Sequence, residues 1–191
     1  MTETDQLRHT VAVLLFILVS VACAGRVTAA GDVEALRSLL IERLALMEQV
    51  TAYKWENDQP IDDPVREANV LKAALARAQA AGLDPAVARR FIVAQMEAAK
   101  TVQRHYFALW QGEAVERSEG AADLVTELRP RIGDLSADLI VAVAHSRVQL
   151  KNCAAVSVLR PVPLDVSDVP RAWNIAVECG LEICRIARMG D

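Results

Sequence analysis

Residues 32–56 read DVEALRSLLIERLALMEQVTAYKWE. Apolar residues recur in this stretch at steps of three and four, which is the spacing of one face of an α-helix. They are Val33, Leu36, Leu40, Leu44, Met47 and Val50. Asp32 suits the N-cap position, and the Asn57-Asp58-Gln59-Pro60 tetrapeptide is a turn signal. The stretch therefore predicts one long amphipathic helix.

A second and a third helix are predicted, with a second turn between them. Asp63-Pro64 and Asp84-Pro85 each combine an N-cap aspartate with a proline at the first helical position, and Gly82 suits the end of the second helix. The third helix is expected to end near residue 111. After it come a loop over 112–122, a fourth helix that Pro130 either starts or kinks, an irregular stretch over 157–168, and a last helix over about 169–188. The pattern predicts an all-α helical bundle with short loops.

Composition narrows the function. The chain of 191 residues is 53% hydrophobic but only 4% aromatic, so its core must be mostly aliphatic. Its net charge of −4 and its pI of about 5.5 argue against nucleic-acid binding, which needs a basic surface. An anionic ligand would therefore have to be held by a local cluster of cations.

The first 30 residues have the features of an export signal. Arg8 and His9 precede an apolar run of about 14 residues, which is shorter than the roughly 20 residues of a membrane-spanning helix. Small residues follow, and cleavage is expected after Ala29 or Ala30. The alternative is a membrane anchor. The sequence thus predicts a cleaved signal over 1–30, a mature domain over 31–191 in the periplasm or outside the cell, and no membrane association after cleavage.

Cysteine use agrees with export. Cys153, Cys179 and Cys184 remain in the mature chain, and an oxidising compartment would permit one disulfide. Cys153 is the expected common partner because it is far in sequence from the other two. Cys179 and Cys184 could instead close a short loop, although five residues along one helix place them on different faces. With only His105 and His145 besides, no metal site is expected.

Two cations interrupt the apolar pattern of the first helix. Arg43 and Lys54 are 11 residues apart. Eleven steps of about 100° fall within about 20° of three full turns, so both side chains share one face, roughly 16 Å apart. Taken alone, each cation is more often a surface residue with a buried aliphatic stem than a ligand contact.

The stretch IDDPVREANVL, residues 61–71, follows the first helix and contains Asp63, Arg66 and Glu67. Together with Arg43 and Lys54, its spacing resembles that of the helical, AroQ-type chorismate mutase family. In AQMEAAKTVQRHYF, residues 94–107, Ala99 and Gln103 occupy positions where the family carries a small hydroxyl residue and, four residues later, Gln or Glu. The signal segment resembles the exported (gamma) subclass, whose members draw the whole active site from one chain. Arg129 in ELRPRI lies where that subclass has its late arginine.

The resemblance implies an isomerase that converts chorismate to prephenate, a Claisen rearrangement on the route to aromatic amino acids, without a cofactor. It assigns Arg43, Lys54 and Gln103 to catalysis. The implied substrate-binding residues are these three together with Asp63, Arg66, Glu67, Ala99 and Arg129. Ala99 lacks the usual hydroxyl, so one carboxylate contact is missing or moved to a backbone N–H, and lower affinity is expected. Lys100 and Arg104 are expected to face solvent.

The resemblance covers residues 33–150 well and the C-terminal extension, 151–191, less well. A C-terminal disulfide at the Cys153 position is common in the family, which implies a bond to Cys184 or Cys179. Exported relatives are commonly dimers, so a homodimer is one alternative, although a site built from one chain does not require it. The rival function is a non-enzymatic helical interaction protein that kept the fold and lost activity.

Overall fold

The computed structural model describes residues 30–113 and 121–189. The predicted signal segment lies outside the described residues, apart from Ala30, and so does most of the predicted loop after the third helix. Within the described residues the chain is helical and contains no strand, which confirms the all-α prediction. No helix in this part of the chain is long and apolar enough to cross a membrane.

The described residues form five α-helices that pack as a bundle. They are α1 (Ala30–Glu56), α2 (Pro64–Ala80), α3 (Pro85–Gly112), α4 (Arg129–His145) and α5 (Pro170–Met189). A single π-helical turn, Leu124–Leu128, precedes α4, and three short 3-10 helices connect α4 to α5: Gln149–Lys151, Ala155–Leu159 and Leu164–Val166. Pro130 lies in the first turn of α4, so it belongs to the start of this helix and does not kink it.

The predicted caps of α2 and α3 form, but the one predicted for the first helix does not. Helix α1 begins at Ala30, so Asp32 lies inside its first turn, where its Oδ2 accepts a hydrogen bond of 2.8 Å from Gln149 Nε2. Asp63 Oδ1 accepts a hydrogen bond of 3.0 Å from the backbone N–H of Arg66 at the start of α2. Asp84 Oδ1 accepts from two backbone N–H groups at the start of α3. Gly82 has φ +73° just after α2, a left-handed conformation that glycine adopts without strain. The sequence therefore sets the boundaries of α2 and α3 locally.

Helix α1 runs through the middle of the bundle and packs against α3, α4 and the segments before α5. Its apolar face is almost fully buried, as the spacing predicts. Helix α3 packs along α5, while α2 covers the other side of α3 and α4. The first four helices thus surround a volume that none of them fills, and α5 closes the opposite side of the core.

A disulfide joins the C-terminal helix to the segment after α4. It links Cys153 to Cys184, with the two Cα atoms 5.2 Å apart and a sequence separation of 31. Of the two candidate partners for Cys153, the structure selects Cys184. Cys179 is a buried free thiol, and burial raises its pKa. The disulfide limits the conformations of the unfolded chain and so stabilises the extension against the bundle.

Candidate active site

A cavity of about 370 Å³ lies between α1, the 59–64 loop, α2, α3 and the start of α4. This volume is in the range of small-molecule sites. All eight substrate-binding residues predicted from the sequence line it: Arg43, Lys54, Asp63, Arg66, Glu67, Ala99, Gln103 and Arg129. Apolar side chains complete the wall: Met47, Val50, Val70, Met96, Leu124 and Ile132. The cavity is therefore an apolar pocket with several cations directed to one volume.

Arg43 is the most deeply buried of these cations, with 6% of its surface exposed. Its Nη1 donates a hydrogen bond of 3.0 Å to the backbone carbonyl of Gln95, and its Nε donates one of 3.4 Å to Ser136 Oγ. Burial lowers the pKa of Arg43 to about 10. A guanidinium has five N–H groups, so three remain for a ligand. The sequence analysis did not identify Gln95 and Ser136, which position this arginine. Contacts between side chains of different helices leave no local sequence pattern from which they could be predicted.

Lys54 lies at the other end of the same face of α1, as the 11-residue spacing predicts. Its ammonium donates a hydrogen bond of 2.8 Å to the carbonyl of Ile61. Burial, and next the positive charge of Arg129, lower the pKa of Lys54, while Asp63, Asp62 and Glu67 oppose this shift. Two of the three ammonium protons remain available to a ligand.

The start of α2 supplies both acids and one arginine. Asp63 caps the helix, and Glu67 Oε1 accepts a hydrogen bond of 3.3 Å from the backbone N–H of Asp63. This reciprocal arrangement resembles a capping box, with the glutamate one residue later than in the usual motif. Arg66 is largely exposed, and burial followed by the charge of Arg129 lowers its pKa. Asp63 therefore orders the pocket wall through the helix terminus and through its charge next to Lys54 and Arg66.

Two of the lining residues have buried polar atoms without a hydrogen-bond partner among the described residues. They are Oε1 of Gln103 and Nε of Arg129. Gln103 is 5% exposed, and its Nε2 donates one hydrogen bond of 3.3 Å to the carbonyl of Ala99, leaving one N–H. Unpartnered buried polar groups cost free energy, so these two atoms favour the binding of a polar ligand in the cavity.

Lys100 contradicts its prediction. It was expected to face solvent, but it lines the cavity, and its side chain is only 14% exposed. Its ammonium lies 2.7 Å from Glu97 Oε1, 3.1 Å from Glu67 Oε2 and 3.5 Å from Asp62 Oδ1. The hydrogen bond to Glu97 is the main reason that its pKa is raised. Arg104 is 49% exposed and does not line the cavity, as expected.

The described residues contain no group of three or more His, Cys, Asp or Glu side chains arranged to hold a metal ion. His145 is exposed and His105 is half-buried. Neither lines the cavity. The polar side chains that this pocket presents are those of Arg, Lys, Gln and carboxylate residues, which act through charge and hydrogen bonding.

Comparisons with known proteins identify the family of this chain. The sequence profile of the family "Chorismate mutase type II" matches residues 34–104. The crystal structure of a chorismate mutase from Burkholderia thailandensis is 36% identical, with a TM-score of 0.62 over 80% of this chain and 99% of that one. The chain belongs to this chorismate mutase family. The matched residues 34–104 contain seven of the eight predicted site residues, and Arg129 lies beyond them.

Two curated relatives are similar over a shorter part of the chain. The secreted chorismate mutase of Yersinia pestis is 34% identical over 115 residues, which is 60% of this chain and 59% of that protein. The monofunctional chorismate mutase of Enterobacter agglomerans is 38% identical over 111 residues, 58% of this chain and 60% of that protein. The aligned part thus spans about three fifths of the length of these curated members of the family.

Proposed function

We propose that this chain is a chorismate mutase that converts chorismate to prephenate. The observation that carries the proposal is the convergence of Arg43, Lys54 and Arg129 on the cavity that also contains the amide of Gln103. Chorismate has two carboxylates, an ether oxygen and a hydroxyl group, and this pocket offers cations for the first, donors for the second and a carboxylate for the third. A helical scaffold protein without activity has no need for such a cavity.

The proposed reaction is unimolecular. One C–O bond breaks while one C–C bond forms, and no nucleophile, proton transfer or metal takes part. The protein accelerates such a rearrangement by holding the substrate in its compact reactive conformer. It also places hydrogen-bond donors where negative charge develops on the ether oxygen as the C–O bond breaks. Both effects require preorganised side chains in a cavity that excludes water.

The carboxylates are assigned to the arginines. A guanidinium binds a carboxylate through two parallel hydrogen bonds, and Arg43 has three N–H groups that the protein leaves free. Arg129 has a buried Nε without a partner among the described residues. Arg66, at the open side, contributes further positive charge. Ala99 presents only a methyl group to this wall, so the contact that a hydroxyl would supply is missing there.

Lys54 and Gln103 are assigned to the ether oxygen. Each keeps at least one N–H beyond its hydrogen bond to the protein, Lys54 to Ile61 and Gln103 to Ala99. Lys54 also has a proton for a substrate carboxylate. Glu67 is assigned to the substrate hydroxyl, which donates to its carboxylate. These assignments require no cofactor.

The proposal extends to location and assembly. Export with a cleaved signal over residues 1–30 is supported by the apolar segment, by the disulfide and by the Yersinia pestis relative, which is named a secreted chorismate mutase. We infer an active site drawn from one chain, since α1 to α4 of a single chain supply all eight residues. Edman sequencing of the protein recovered from the periplasm or medium would test the cleavage site.

The direct test of activity follows loss of chorismate absorbance in purified protein and identifies prephenate as the product. The expected result is saturable turnover that a Lys54→Ala variant lacks. The matched control is Lys72→Ala, because Lys72 is an exposed lysine of α2 outside the cavity. Absence of turnover in folded, disulfide-bonded wild-type protein would favour the non-enzymatic alternative.

A further inference from the structure

Lys100 connects α3 to the wall that residues 61–67 form. Its ammonium contacts Glu97 on its own helix, Glu67 on α2 and Asp62 in the loop before α2. The carboxylates of Glu97 and Glu67 accept hydrogen bonds from two of its three N–H donors, and Asp62 forms an ion pair at 3.5 Å. Although Lys100 lines the cavity, its described contacts are therefore with the protein, and these partners offer a route by which it acts on a ligand.

Glu67 and Asp62 both line the cavity, and Glu67 is the one of the two that is assigned to the substrate hydroxyl. One of its oxygens accepts the backbone N–H of Asp63 and the other accepts the Lys100 ammonium, so the carboxylate is held from two sides. Each carboxylate oxygen has a second lone-pair direction, which remains open to a hydroxyl donor. The orientation of that second direction depends on both contacts, and only one of them comes from the helix that carries Glu67.

We propose that Lys100 is a positioning residue that orients the Glu67 carboxylate toward the hydroxyl group of the bound substrate. This inference rests on the proposed function and assigns a role to a residue outside the eight. Lys100 also offsets the negative charge of Glu67, which would otherwise repel a dianionic ligand. Without Lys100, the side chain of Glu67 keeps only its backbone contact and samples other rotamers, so the hydroxyl loses its fixed acceptor.

Arg104 provides a matched control one turn further along α3. Its guanidinium contacts two of the same carboxylates, at 3.4 Å to Asp62 and 3.9 Å to Glu97, but it makes no ion pair with Glu67. It is half-exposed and lies outside the cavity. Loss of Arg104 therefore removes comparable surface charge without changing the contacts of Glu67.

The test is a double-mutant cycle in which the substitutions in the protein are combined with removal of the hydroxyl group from the substrate. Lys100→Met, Lys100→Arg and Arg104→Met are each assayed with chorismate and with the analogue in which hydrogen replaces the hydroxyl. Lys100→Met is expected to lower kcat/KM for chorismate about 10-fold or more, mainly through KM. This loss should exceed the loss for the analogue by at least about fivefold, because contacting groups show coupling of this size. Lys100→Arg should restore most of the activity, and Arg104→Met should change it by no more than about twofold.

Equal losses on both substrates would overturn the proposal, because Lys100 would then act only through charge or fold stability. A loss in Arg104→Met as large as in Lys100→Met, or a Lys100→Met variant without helical circular dichroism, would also overturn it. Wild-type protein that does not convert chorismate would instead defeat the proposed function. The two failures are therefore distinguishable in one set of assays.

Discussion

The guanidinium of Arg43 donates a hydrogen bond to the backbone carbonyl of Gln95, and no carboxylate among the described residues compensates its charge. Both of its protein acceptors have other functions. The Gln95 carbonyl is part of helix α3, and the hydroxyl of Ser136 donates to the carbonyl of Ile132. The unliganded protein therefore buries a cation that is solvated only by neutral dipoles, which destabilises the fold and favours an anionic ligand.

Arg43→Met should raise the stability of the free protein while it abolishes turnover. Methionine fills similar space without the buried charge, and neither Gln95 nor Ser136 loses its remaining hydrogen bond. We expect the unfolding free energy to rise by about 1–2 kcal/mol, and Tm by about 2–8 °C. Thermal unfolding followed by circular dichroism, together with kcat/KM, measures both effects.

The control for this prediction is Arg37→Met on the same helix. Arg37 donates to the carbonyls of Val158 and Pro161 and stacks on Trp173, away from the cavity. Its loss should lower stability by about 1–3 kcal/mol and leave kcat/KM unchanged. If Arg43→Met proved less stable than wild type by a similar amount, the buried charge would not be the dominant effect.

Activity should fall at alkaline pH with the deprotonation of Lys54. Burial and the charge of Arg129 lower its pKa, so the ammonium form disappears at lower pH than for an ordinary lysine. Since only the charged form stabilises the ether oxygen, kcat/KM should decrease as pH rises through this value. Lys54→Arg should move the decrease to higher pH, and Lys72→Arg should leave it in place. An active Lys54→Arg variant with an unchanged profile would assign the titration to another group.

Each chain should be active without help from a second one. Lys54 and Arg129 line the same cavity of one chain, so Lys54→Ala and Arg129→Ala inactivate the same site. Mixing the two inactive variants, with unfolding and refolding to permit exchange of subunits, should restore no activity. Recovery toward a quarter of the wild-type rate would show that the site is shared between chains, whatever the oligomeric state.

Much of the site was predictable because its information is local or periodic. The 11-residue interval between Arg43 and Lys54 determines their common face, and the Asp63-Pro64 dipeptide determines where α2 begins. The family resemblance identified the remaining candidate site residues by their spacing along the chain. These features depend on helix geometry and capping, which act over a few residues.

The position of Lys100 was not predictable in the same way. Its neighbours in sequence suggest an exposed lysine, but its side chain is held by Asp62 and Glu67, more than 30 residues away. The choice of Cys184 over Cys179 has the same origin, since it depends on how α5 is rotated against the segment around Cys153. Contacts between distant segments determine the position of Lys100 and the choice of Cys184. No periodic sequence pattern predicts such contacts.

Removal of the Cys153–Cys184 disulfide should reduce stability and leave the site intact. The bond closes a segment of 31 residues, and the chain-entropy estimate for its loss is about 4 kcal/mol. Neither cysteine lines the cavity. Cys153→Ala with Cys184→Ala should therefore lower Tm and keep kcat/KM within about twofold well below Tm. Addition of reductant should lower the Tm of Cys179→Ala, which retains the disulfide. It should leave the Tm of the double variant unchanged.

Gln103 determines how the rate responds to acid. A neutral amide donates a hydrogen bond at every pH at which the protein is folded, while Arg and Lys stay charged from about pH 5 to 8. The wild type should therefore have a nearly constant kcat/KM over this range. A carboxyl group at the same place would donate only when protonated, and its ionised form would repel the ether oxygen as that atom gains negative charge.

Gln103→Glu should consequently gain activity as pH falls and lose most of it at neutral pH. Burial raises the pKa of a carboxyl group at this position, whereas the nearby cations Lys54 and Arg129 lower it. The increase in kcat/KM of this variant is therefore expected at acidic pH. Gln103→Met, which cannot donate at any pH, should be impaired equally from pH 5 to 8. The measurement is kcat/KM against pH for all three proteins, with circular dichroism to confirm folding. Parallel profiles for the wild type and Gln103→Glu would show that Gln103 does not contact the breaking bond.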